Sequence, residues 1–133
     1  MKLFILLCAI FFINTVAAQN TWIVQSGKNI LLKAAEEDTT ANVIAIKRSK
    51  ITSLVVSYAE PRRKDWSRYI MVYDRADNEL ISKETYNLSL SASVLKNWAK
   101  KNSQVKIYTI PRNLNPAIAI KVRRVHLCTI NFQ

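Results

Sequence analysis

From Thr21 onward, apolar and polar residues alternate with a period of two, and the apolar positions favour Val, Ile, Tyr and Phe. That period is the signature of half-buried strands, because successive side chains on a strand point to opposite faces. It predicts strands over Thr21 to Gln25, Asn29 to Ala34, Asn42 to Lys47, Thr52 to Glu60, Ser67 to Asp74 and Glu79 to Glu84. A short strand over Tyr86 to Leu90 and one over Val105 to Ile110 extend the series. Ser26-Gly27 and Arg75-Ala76-Asp77-Asn78 supply hairpin turns, and Glu36-Glu37-Asp38-Thr39-Thr40 makes a polar acidic loop. The last apolar run, Ala117 to Phe132, is too long for one flat strand, so a bulge or bend is expected at Arg123-Arg124.

One segment departs from the period. Val94, Leu95 and Trp98 recur at helical spacing between Ser91 and Asn102, with Ser91 or Ser93 available as N-cap. Lys96, Lys100 and Lys101 would complement the negative end of the helix dipole. About eight strands with one crossover helix near 91–102 predict a mainly all-β fold. Its expected form is an antiparallel immunoglobulin-like β-sandwich of about 7–9 strands, with a closed barrel as the alternative. Gly27 is the only glycine, which excludes nucleotide-binding folds that cradle phosphate on glycine-rich turns. Pro61, Pro111 and Pro116 are read as loop markers.

The N-terminus has the layout of a secretory signal peptide over residues 1–18. Lys2 is followed by the apolar run Leu3 to Ile13 and by the small-residue site Val16-Ala17-Ala18. Cleavage there leaves 115 of the 133 residues, the single domain expected over 19–133, exported to a periplasmic or extracellular space. Cys8 would leave with the signal. Leu7 before it and the apolar run after it argue against a lipid-attachment site. Cys128 then stands alone among Leu127, Ile130 and Phe132, so it is expected to be a buried thiol with no internal disulfide. No later stretch reaches the roughly 18 consecutive apolar residues of a spanning helix. Without Lys2, 19 Lys and Arg face 9 Asp and Glu, a net charge of +10. Such an excess attracts anionic partners, or serves solubility alone.

Most catalytic chemistries lack their residues. His126 is the only histidine, too few for a blue-copper or a typical catalytic zinc site. His126 and Cys128 lie two apart and are expected on one strand face, where packing rather than catalysis is the reading. The apolar series Ile118, Ile120 and Val122 is expected to share a face in the same run. The carboxylates sit mostly in loops, and nothing pairs two of them as a glycosidase requires. Asp74, Asp77 and Glu79 lack the glycine and oxygen set of a calcium loop. No catalytic residue, metal or cofactor is therefore expected, nor any specific nucleic-acid motif.

The segment Pro61 to Tyr69 stands out. Arg62, Arg63, Lys64 and Arg68 surround Trp66 in a stretch between two strands. Guanidinium groups bind phosphate or carboxylate through charge-assisted hydrogen bonds, and an exposed indole offers a stacking face. In the competing reading Trp66 turns inward and caps the core. Further basic doublets are Lys47-Arg48, Lys100-Lys101 and Arg123-Arg124. The expected function is a small non-enzymatic binding module for an anionic polysaccharide, an envelope surface or an acidic protein. The alternative is a structural or protein-interaction module whose charge serves only solubility.

Overall fold

The structure is a computed structural model that describes residues 20–118 and 121–133; the expected signal segment 1–18 and Ile120 of the expected same-face series lie outside them. Nine strands and one helix follow in the order β1 (Thr21–Ser26), β2 (Asn29–Ala34), β3 (Val43–Ile46), β4 (Leu54–Ala59), β5 (Trp66–Asp74), β6 (Glu79–Glu84), β7 (Asn87–Leu90), α1 (Ala92–Lys101), β8 (Gln104–Asn113) and β9 (Val125–Phe132). A single 3₁₀ turn, Arg48–Lys50, follows β3. The strands make two sheets, one ordered β2-β1-β4-β7 and the other β3-β9-β8-β5-β6. Among the described residues the protein is thus mostly β, with two sheets and one helix.

The alternation explains the core directly. Trp22 and Val24 of β1, Leu54 and Val56 of β4, and Leu88 and Leu90 of β7 enter it from the first sheet. Ile70 and Val72 of β5, Val105 and Ile107 of β8, and Leu127, Cys128 and Ile130 of β9 enter from the second. The Trp22 indole N–H donates to the Leu127 carbonyl at 2.9 Å and ties the two sheets together. The Cys128 thiol is fully buried, and burial pushes its pKa up to about 12, so it stays a neutral apolar group.

Helix α1 carries the chain from β7 in one sheet to β8 in the other, the crossover read from its spacing. The Ser91 hydroxyl accepts from the Val94 N–H at 3.2 Å, an N-cap. Leu95, Trp98 and Ala99 face the core. Lys100 and Lys101 lie in the last turn, and Arg48 donates to the Ala99 and Asn102 carbonyls there, satisfying acceptors that the helix end leaves over.

A chain with one glycine must find its left-handed residues elsewhere. Gly27, at φ 56°, makes the β1–β2 turn, while Asp77 (φ 65°) and Asp65 (φ 67°) take the same conformation in the loops before β6 and β5. Aspartate tolerates this region better than most residues with a Cβ.

Four sequence expectations need correction. The fold is not wholly antiparallel, because β3 pairs β9 in parallel, Ile44 opposite Ile130. Alternation records which face a residue takes and not the direction of its neighbour, and the long chain between β3 and β9 permits either sense. Second, the run from Ala117 is not one bent strand. Ile118 and Val122 are exposed outside any strand, and β9 starts only at Val125. Asparagine side chains take the main-chain donors that a ladder would need: Asn113 Oδ1 accepts from the Asn115 N–H at 2.8 Å and Asn115 Oδ1 from the Ala117 N–H at 3.0 Å. Third, Pro111 lies inside β8 rather than in a loop. Pairing with β9 stops at Thr109, so Pro111 has a strand on one side only, where a missing N–H is tolerated.

Fourth, His126 and Cys128 do not share a face. Ile107 pairs with Cys128 and Tyr108 with His126, so Leu127 is an extra residue in a bulge. Leu127 and Cys128 both enter the core, while His126 turns to the outer face beside Thr129.

Candidate functional site

At one end of the sheets β4 finishes and β5 begins, and the segment between them turns back on itself. Asp65 adopts its left-handed conformation here, and its carbonyl accepts from the Leu114 N–H at 2.7 Å, which pins the loop to the end of β8. Trp66 and Arg68 are the first and third residues of β5, in alternation with the core residues Ile70 and Val72. Both therefore lie on the inward-facing side, where the two sheets open to solvent. A cleft of about 320 Å³ forms there, lined by Asn20, Glu60, Arg63, Trp66, Arg68 and Pro111 among others.

The five basic and aromatic residues singled out from sequence part company in this geometry. Arg63 and Trp66 line the cleft, with Trp66 partly exposed and outside the buried cluster. Arg68 lines it too, but is buried at 7% exposure and already engaged. Its Nε donates to Glu60 Oε1 at 2.8 Å, its Nη1 to Thr109 Oγ1 at 3.2 Å, and its guanidinium lies 4.4 Å from the Tyr58 ring centre. Arg62 points away and covers the Tyr86 ring at 4.5 Å. Lys64 is exposed and does not line the cleft. Burial raises the pKa of Tyr58, with the positive charge of Arg68 opposing the shift. Asn20, Glu60 and Pro111 were not singled out from the sequence; the basic residues that flag Trp66 are a local signal and carry nothing about Asn20 or Pro111, which lie far along the chain.

The other arginines show why the net charge overstates the cation available for binding. All five tyrosines carry an arginine within cation–π range: Arg68 on Tyr58, Arg62 on Tyr86, Arg112 on Tyr69, and Arg124 on both Tyr73 and Tyr108. Arg123 and Arg124 also pair with Glu37 and Asp77 at 2.9 and 2.8 Å, so that doublet is spent within the fold. Among the described residues every ion pair uses arginine and none uses lysine. The Asp74 carboxylate is likewise committed, accepting from the Asn78 main chain and side chain at 2.8 and 3.1 Å, and these bonds lower its pKa.

His126 lines a second cleft of about 240 Å³ on the outer face of the five-stranded sheet, with Lys106, Tyr108 and Thr129. Its Nε2 lies 2.8 Å from Thr129 Oγ1, and its Nδ1 is buried with no partner among the described residues. Burial lowers its pKa below 6.5; Lys106 pushes the same way and Glu37 opposes them. The unfolded chain thus takes the proton first as pH falls. Stability held above the unfolded value near pH 6.5 is expected to decline as pH drops through it. Urea midpoints at about pH 7.5 and about pH 5.5 should differ in the native protein, and by less in His126→Asn. Equal pH dependence in the two proteins would contradict this.

Compared with models of known families, with curated proteins and with solved structures, the chain matches none of them. The functional reading therefore rests on the cleft itself.

Proposed function

We propose that this protein is an exported, non-enzymatic β-sandwich of immunoglobulin-like type that binds an anionic polymer at the end of its sheets. The carrying observation is the position of Trp66: partly exposed, outside the core, and lining one cleft with Arg63 and Arg68. An indole at such a rim offers one face to a sugar ring or base, while Arg63 contributes charge-assisted hydrogen bonds. Arg68, paired with Glu60 in the same wall, fixes the shape of the cleft rather than adding free charge. Arg62 and Lys64, exposed in the same loop, add long-range attraction for polyanions.

Titration with dextran sulfate, and with neutral dextran as control, tests this reading. Binding should weaken steeply between about 50 and 200 mM salt, because counterions are released on association. Replacing Arg62, Arg63 and Lys64 together by serine should weaken binding and flatten that dependence. Trp66→Ala should also weaken binding of this sugar polymer if the ring stacks on it. Its stability should fall far less than the roughly 3–5 kcal/mol typical of a buried aromatic. Binding unchanged in both variants would refute the proposal.

A second reading is an interaction module whose charge serves solubility. It is favoured by the commitment of six of the eight arginines to rings, carboxylates or the α1 end. On that reading the dextran sulfate titration shows no saturable binding.

A further inference from the structure

The opposite end of β1 carries a different surface. β1 runs from Thr21, beside the cleft residue Asn20, to Ser26, a distance of about 17 Å at the usual strand rise. Around Ser26 lies a groove of about 310 Å³, bounded by Leu31 of β2, Ala45 and Ile46 of β3, and Leu54, with Lys47 and Lys50 on its rim. Among the described residues β2 and β3 are terminal strands of their respective sheets, so the groove lies between two edges that pair with no further strand there.

Three features make this surface unusual. First, it is apolar where water should meet polar groups. Val24 pairs with Leu32 and Gln25 with Ile30, so Leu31 is a bulge residue, and both Ile30 (58% exposed) and Leu31 (41%) face solvent. Second, it offers main-chain groups. The Asn42 and Ile46 carbonyls accept from the Thr129 and Gln133 N–H groups of the β9 side. Alternate residues of a strand point their main-chain groups to opposite sides. Val43 and Ala45 therefore turn theirs to the open side. The Ala41 carbonyl takes the Val43 N–H, which leaves the Val43 carbonyl and both main-chain groups of Ala45 without a main-chain partner among the described residues. Proteins usually protect such an edge against added strands. Third, the charge is of one sign. Lys28 in the turn before β2 and Lys33 within it flank Ile30 and Leu31, Lys47 and Lys50 line the groove, and among the described residues no carboxylate does.

We propose that this groove receives an extended, acidic segment of a partner protein, which adds to the β3 edge as a further strand. Its main chain pairs with Ala45, its apolar side chains cover Leu31 and Ile46, and its carboxylates meet Lys47 and Lys50. Strand addition of this kind draws affinity from main-chain hydrogen bonds and specificity from alternate side chains. A second copy of this chain is a poor occupant, since a net charge of +10 without Lys2 repels its like.

The test is selection of short random peptides displayed on phage against the folded protein, followed by affinity measurement of the enriched sequences as synthetic peptides. Enriched sequences should combine acidic and apolar residues. Their affinity should fall at least about tenfold in Leu31→Asp and in the double variant Lys47→Glu, Lys50→Glu. Ala45→Pro removes one edge donor while sparing the β9 ladder, and should abolish binding. Leu31→Asp, at an exposed position, covers the case in which the proline variant does not fold. Trp66→Ala, at the far end of β1, should leave these peptides bound, so this proposal and the polymer reading fail separately. No enrichment, enrichment without an acidic bias, or binding that survives both Leu31→Asp and the lysine double variant would overturn it. So would sedimentation showing a wild-type dimer that Leu31→Asp dissolves, which would assign the groove to a second copy.

Discussion

Trp22→Ala is expected to destabilise the protein by about 4–8 kcal/mol, most of the stability of an ordinary domain. Trp22 is 3% exposed and stacks on Tyr58 with ring centres 6.0 Å apart. Losing a buried aromatic to alanine costs about 3–5 kcal/mol through lost burial and the cavity left behind. The remainder comes from the Leu127 carbonyl. That group belongs to the bulge residue of β9, and the Trp22 indole N–H serves it from the other sheet. Left without a partner in the core it costs roughly another 1–3 kcal/mol. Trp22→Phe separates the two effects, keeping an aromatic ring and losing the hydrogen bond. Urea denaturation followed by circular dichroism should place Trp22→Phe about 1–3 kcal/mol below wild type, with Trp22→Ala far lower or unfolded. A phenylalanine variant as stable as wild type would mean that the inter-sheet hydrogen bond contributes nothing.

Arg68→Met should cost about 3–5 kcal/mol, the usual penalty for removing one partner of a buried ion pair. The substitution strands Glu60, whose side chain is only 16% exposed, and takes a donor from Thr109 and a cation from the Tyr58 face. Arg68→Lys should recover only part of the loss, because an ammonium cannot reach Glu60 and Thr109 while also lying flat on a ring. In the double variant Arg68→Met, Glu60→Gln the cost should be well below the sum of the single costs, since no buried charge is left alone. A penalty under about 1 kcal/mol for Arg68→Met would show the pair behaving as a solvated surface bridge.

Residue type and spacing within a few positions determined most of the local structure. The alternation over Thr21 to Gln25 and Ser67 to Asp74 became β1 and β5, and the 94–95–98 spacing behind Ser91 became α1. Both signals are local, because strand and helix periods act between residues a few positions apart. The surprise at Trp66 was also legible: basic residues around an indole pointed to the stretch that lines the cleft. Its opposite wall was not, because Asn20 and Pro111 reach it only through pairing of β1 with β4 and of β5 with β8.

What tertiary structure alone decided has one common cause, the meeting of residues far apart in the chain. The parallel direction of β3 against β9 leaves no trace in either strand's alternation. The bulge at Leu127 exists only in register with β8, and it alone sends His126 outward and Cys128 inward. The arginines show the same limit. Long and flexible, they read as free charge in a sequence, yet folding lays them over every tyrosine ring, and Arg68 passes from candidate ligand hand to buried pillar of the cleft. Local spacing determined the elements; contacts between distant segments decided which faces, charges and edges were left to meet a partner.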